Sequence, residues 1–180
     1  MKLFLAVLCL LAFPALAQDW KVNAVQSQVR FLIKQMNVPV EGGFKRFNVE
    51  AKFDPAKPEA GVLRVDLEAS SIDTGSPEGD DEARRPIWFD AARHPRLNFA
   101  SKSIKKGAEG RGYIATGHLT VKGQTRLITL PFSLTPQKTG TWLVEGRFPI
   151  RRADFNIGGG DWNEVVDDAA EVRFRFLLTR

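Results

Sequence analysis

Apolar and polar residues alternate in short runs along most of this chain, and the cleanest run spans residues 110–135. Ile114 to Val121 and Leu127 to Leu134 read as two strands folded back on each other. Between them Lys122-Gly123-Gln124-Thr125 places glycine where a tight reversal needs positive φ. Gly117, Leu119 and Val121 fall on one face of the first arm, and Thr116, His118 and Thr120 on the other. A period of two marks a sheet with one buried side and one wet side.

The same period recurs on both sides of this hairpin. Upstream, Val29, Phe31 and Ile33 share one phase, and so do Phe47, Val49, Ala51 and Phe53 after a turn at Gly42-Gly43. Leu63, Val65, Leu67 and Ala69 follow beyond a loop containing Pro55 and Pro58, and Leu97 and Phe99 open another run that ends in a Lys/Gly-rich turn over residues 103–112. Downstream, Trp142, Val144, Gly146, Phe148 and Ile150 share a phase, and Val172, Phe174, Phe176 and Leu178 close the chain. Asp19 to Val22 reads as a short strand or latch. Residues 151–168 read as a long Gly-rich connection. The alternation breaks between Asp73 and Pro95. There Asp80-Asp81-Glu82 suits the positive end of a helix that Pro86 cuts short. About eight short strands with one helical interruption predict an antiparallel barrel or sandwich.

Composition narrows this picture. Met1-Lys2, the apolar run Leu3 to Leu11 and Ala15-Leu16-Ala17 form a secretory signal peptide cleaved after Ala17, too short to span a bilayer. The single cysteine, Cys9, falls inside it, so residues 18–180 are expected to fold as one domain without thiol, disulfide or Cys-based metal site. The formal net charge of +5 is spread among acids, with no basic block interleaved with aromatics. Nucleic acid is therefore not an expected partner.

Catalytic and metal signatures are absent from the sequence. His94 and His118 lie in neither H-x-H nor H-E-x-x-H spacing, and no G-x-S-x-G pattern occurs. Gly158-Gly159-Gly160 lacks the strand–turn–helix setting of a phosphate loop. The remaining feature is an aromatic load on the inward phases: Phe31, Phe47, Phe53, Phe99, Trp142, Phe148, Phe174 and Phe176. Two readings stay open on this pattern, a barrel filled by its own side chains and one hollow enough for a slender ligand.

An ordered series of motifs adds to the pattern. Ser27 to Met36 (SQVRFLIKQM), Gly42 to Phe47 (GGFKRF), Phe53-Asp54-Pro55 and Ala69 to Thr74 (ASSIDT) come first. Trp88 to Pro95 (WFDAARHP), Asn98-Phe99, Gly117 to Arg126 (GHLTVKGQTR) and Arg152 to Ile157 (RADFNI) complete it. Together they resemble the YceI family of exported, lipocalin-like bacterial proteins, over essentially all of residues 18–180. The resemblance implies an all-β fold, an extended eight-stranded antiparallel barrel with a short helical insert near one end. It implies a non-catalytic periplasmic protein, often base- or stress-induced, that binds a long polyisoprenoid such as an isoprenoid quinone or its precursor and needs no cofactor or metal. Ile157 to Asp168 (IGGGDWNEVVDD) resembles variants found beside cytochrome b-type membrane proteins, which makes such a protein a second expected partner. A monomer or homodimer is expected. Arg84-Arg85-Pro86 departs from the usual small or polar run before the aromatic pair.

On this basis the ligand would be lined by Phe31, Ile33, Phe47, Val49, Phe99, Leu119, Trp142, Phe148, Phe174 and Phe176, with Trp88, Arg152 and Phe155 toward the mouth. Arg84, Asp154 and Trp162 are further candidates for a polar headgroup. Each buried methylene contributes about 0.8 kcal/mol, so a prenyl tail needs no charged contact to bind.

Overall fold

The computed structural model describes residues 19–138 and 140–179; the expected leader and Cys9 lie outside the described residues. The strands are β1 (Asp19–Val22), β2 (Gln28–Gln35), β3 (Val38–Phe44), β4 (Phe47–Lys52), β5 (Val62–Glu68) and β6 (Ile72–Asp73). They continue as β7 (Arg96–Lys106), β8 (Tyr113–Val121), β9 (Gln124–Pro136), β10 (Thr141–Arg151) and β11 (Val166–Thr179), with helices α1 (Pro77–Arg84) and α2 (Trp162–Val165).

These segments fill eight lanes. β1 and β2 lie end to end in the first, because β11 pairs with β2 up to Arg175↔Gln28 and then with β1 at Val22↔Leu178 and Lys21↔Thr179. β3 and β4 form the second lane, bent at Lys45-Arg46, and β5 and β6 form the third alongside it. β7 to β11 follow in order, each antiparallel to the last, and β11 returns to the first lane. The result is a closed, eight-stranded, up-and-down antiparallel barrel, which leaves no open sheet edge along most of its length.

The turn chemistry follows from local sequence. The β8–β9 reversal needs only Lys122 and Gly123, at φ 48° and 73°, as a two-residue hairpin requires. The upstream reversal lies at Met36-Asn37 (φ 50° and 64°). It does not lie at Gly42-Gly43, which sit inside β3 opposite Phe31 and Arg30. α1 starts before its acidic run: Ser76 caps it by accepting from the Gly79 N–H at 3.1 Å, and Pro77 takes the first position. The Gly-rich connection is shorter than expected, since it contains a tight helical turn at Arg152–Phe155 and α2 before β11 begins at Val166.

The main core runs down the barrel and includes Val29, Phe53, Phe99, Ile104, Leu130, Phe132, Phe148, Phe174 and Phe176. A second cluster, with Ala69, Leu97, Val121, Phe155 and Ile157, joins the barrel to the segments over one end. There α1, residues 85–95, the Arg152–Phe155 turn and α2 form a lid around the tips of the β2–β3 and β8–β9 hairpins. Met36 N–H donates to Val165 C=O (2.6 Å), and Gly158 N–H donates to Ile87 C=O (2.8 Å). At the far end Trp20 donates its indole N–H to Phe53 C=O (2.9 Å) and meets Trp142 edge-on at 6.1 Å.

Candidate ligand-binding cavity

Beneath the lid lies an apolar cavity of about 110 Å³. Period-two positions on the strands supply its walls: Val29 and Phe31 from β2, Leu63, Val65 and Leu67 from β5, Leu97 and Phe99 from β7, and Leu119 and Val121 from β8. Leu130, Phe148, Ile150, Val172, Phe174 and Phe176 complete the strand walls, and Phe44, Phe89 and Ile157 close the lid side. The polar residues at its border are engaged elsewhere. Asn98 donates its amide to Asp66 at 2.8 Å, and Arg30 reaches Glu41 at 3.3 Å. A smaller void of about 30 Å³ continues toward the far end among Val49, Ala51, Phe53, Ile104 and Phe132. Leu63 and Phe176 wall both spaces and form a waist between them.

Six of the sequence-derived positions therefore converge on the main cavity: Phe31, Phe99, Leu119, Phe148, Phe174 and Phe176. Val49 lines the smaller void. Ile33 lies half-buried on β2 outside the lining, where β11 slips register between Val166 and Ala170. Phe47 packs on Phe176 at 6.0 Å, and Trp142 on Trp20 at the far end. Phe44, Phe89 and Ile157 stand at a bend and in lid segments, where no period marks them in the sequence. Leu63, Val65, Leu67, Leu97, Val121, Leu130, Ile150 and Val172 line the cavity as well, and alternation alone does not separate inward residues at the hollow from those packed above or below it.

The expected headgroup contacts are differently disposed. Arg152 is 4% exposed and is spent on the backbone. Its guanidinium donates to the carbonyls of Ile157 (2.8 Å), Gly158 (2.5 Å), Val166 (2.6 Å) and Asp167 (2.8 Å). Burial pushes its pKa down, opposed by Asp168 and Asp167. Arg152 is thus the pin of the lid and is not free for a ligand at the mouth. Phe155, 2% exposed, fills the lid core beside it. Trp88 stacks edge-on against Trp162 at 5.3 Å, and its buried indole N–H has no hydrogen-bond partner among the described residues. Arg84 donates to Ser70 C=O and pairs with Asp81 at 2.8 Å. Asp168 accepts from the Ala153 N–H and from Arg151, both of which hold its carboxyl below the usual range.

A lysine ties the lid to the barrel. Lys122 Nζ donates to Ile87 C=O (3.1 Å) and Asn156 C=O (2.7 Å), one from each lid segment, and burial pushes its pKa down. His94 packs on Gly123, whereas His118 points outward from β8. Among the described residues, no three His, Cys, Asp or Glu side chains gather where a metal ion could be held.

Residues 20–178 match the family model of the YceI-like domain. The chain belongs to the YceI family. A relative in that family, a UPF0312 protein of Yersinia pestis (strain Pestoides F), is 31% identical over 163 residues, 86% of this chain and 84% of that protein. The crystal structure of Burkholderia cenocepacia BcnA matches with a TM-score of 0.82 at 36% identity, over 87% of this chain and 99% of that one. A more distant fold neighbour of this YceI barrel is a polyisoprenoid binding domain from Saccharophagus degradans implicated in plant cell wall breakdown. It aligns with a TM-score of 0.66 at 15% identity, over 91% of this chain and 98% of that one.

Proposed function

We propose that this YceI-family protein binds a long-chain polyisoprenoid lipid, an isoprenoid quinone or its precursor, inside the barrel and serves as a periplasmic carrier or store. The observation that carries this reading is the lidded cavity, walled by hydrocarbon and continued by a second void beyond Phe176 and Leu63. The polyisoprenoid-binding description of the Saccharophagus degradans neighbour supports the ligand class. A space with no free polar partner excludes water and favours an apolar guest, with each buried methylene contributing about 0.8 kcal/mol before the cost of ordering the tail.

Size sets the mechanism. An apolar cavity of about 150 Å³ holds a benzene ring, so about 110 Å³ seats one branched hydrocarbon unit at rest. A longer tail enters by displacing the lid at one end and the Phe176 ring at the waist. Docking on a cytochrome b-type membrane protein is the weaker alternative, because the Ile157–Asp168 stretch behind it turns four of its carbonyls inward to Arg152.

Mass spectrometry of lipids extracted from gently purified protein is expected to find a prenyl chain. Finding none, even after incubation with quinone, overturns the proposal.

A further inference from the structure

Three phenylalanines that wall the cavity each rest on a glycine of the neighbouring strand. Phe31 is the register partner of Gly42, and Phe174 of Gly146, while Phe99 lies diagonally from Gly117. A Cβ added at any of these glycines would meet the tip of its phenyl ring within 3.0 Å, a contact real side chains do not make. None of the three has positive φ, so backbone conformation does not demand glycine there. Glycine also weakens a strand interior relative to most residues. What it supplies here is a slot in the barrel wall. Each slot is floored by a backbone carbonyl as well, from Asp73, Ala100 and Pro131 respectively.

We infer that Gly42, Gly117 and Gly146 set the length of chain the barrel accepts, by letting Phe31, Phe99 and Phe174 recline along the wall instead of projecting into the lumen. A phenyl ring on the inner face that is denied its slot turns toward the apolar cavity it already lines. The inference rests on the lipid-binding reading for its ligand, but the geometry of the lumen is independent of that reading. The three slots sit on different sides of the barrel, on β3, β8 and β10, so filling any one narrows the lumen from a different wall.

The test compares the parent protein with Gly146→Ala, titrated with geraniol, farnesol and geranylgeraniol and followed by tryptophan fluorescence. The parent is expected to bind more tightly as the chain lengthens. Gly146→Ala should keep its geraniol affinity within about twofold and lose at least about tenfold for geranylgeraniol. Gly146→Ala/Phe174→Leu, which removes the ring tip, should recover the long-chain affinity; crowding against the Pro131 carbonyl alone would leave it lost. Should Gly146→Ala fail to fold, Phe174→Trp overfills the intact slot and is expected to show the same length-selective loss. An equal loss for all three alcohols, or undiminished geranylgeraniol binding by a folded variant, overturns the inference. Xenon binding followed by ¹²⁹Xe NMR reads the lumen without a lipid. A smaller xenon response in the variant, with no alcohol bound even by the parent, upholds the slots and overturns the lipid reading. An unchanged xenon response overturns the slots.

Discussion

The guanidinium carbon of Arg152 lies 5.5 Å from the centre of the Trp88 ring, so one buried cation joins two lid segments that are distant in sequence. Its four backbone acceptors lose their donor together if it is removed. Arg152→Met is expected to destabilise the protein by about 3–5 kcal/mol, taking about 1–3 kcal/mol for each buried acceptor left unpaired and allowing for partial rehydration. Urea unfolding measures this. A loss under about 1 kcal/mol would show that the lid holds without its pin.

Phe176 is 2% exposed and separates the two internal voids together with Leu63. Phe176→Ala should cost about 3–5 kcal/mol, the usual range for a large aromatic deleted from a core. The same change joins the voids, so affinity for the longest prenyl alcohols is expected to rise relative to short ones. Thermal unfolding and alcohol titration check the two halves separately.

Lys122 bridges Ile87 and Asn156 across the lid. Lys122→Met keeps the length of the side chain and removes both donated bonds. Faster amide exchange is expected in residues 85–95 and 152–160, with the barrel strands unchanged, as measured by hydrogen–deuterium exchange and mass spectrometry. Release of a bound alcohol should accelerate in parallel.

Glu68 accepts two bonds from Arg46 (2.5 and 2.7 Å) and one from Ser70 (2.7 Å), and these lower its pKa to about 2. A carboxyl whose pKa is depressed on folding adds stability above its unfolded pKa, and loses it as pH falls toward the folded value. The stability difference between the parent and Glu68→Gln should therefore be constant near pH 6, shrink below about pH 4.3 and vanish near pH 2. Because the pair is solvent-exposed, the difference is small throughout. Chemical denaturation across that range tests it, together with NMR titration of the Glu68 carboxyl.

Most of the barrel could be read from alternation, because a strand with one buried face writes its period directly into the chain. The inward phase on β7, β8, β10 and β11 identified Phe99, Leu119, Phe148, Phe174 and Phe176 at the cavity. Gly42-Gly43 misled because paired glycines signal a reversal when the ring lying across them is out of sight. The true reversal, Met36-Asn37, carries no glycine at all. Arg152 looked like a headgroup ligand because its four carbonyl partners are backbone atoms, which leave no mark in the sequence. Phe89 and Ile157 come from irregular segments whose inward side is decided by the lid fold, not by periodicity.

The seam between β1 and β11 brings Lys21 against Thr179, and Asn23 donates to the Leu177 carbonyl at 2.9 Å. The first strand of the barrel is thus clasped by the last. The cylinder therefore cannot zip shut until its last strand is free to pair, and a chain truncated before Val166 would stay an unsealed, curling ribbon with its greasy inner face toward water.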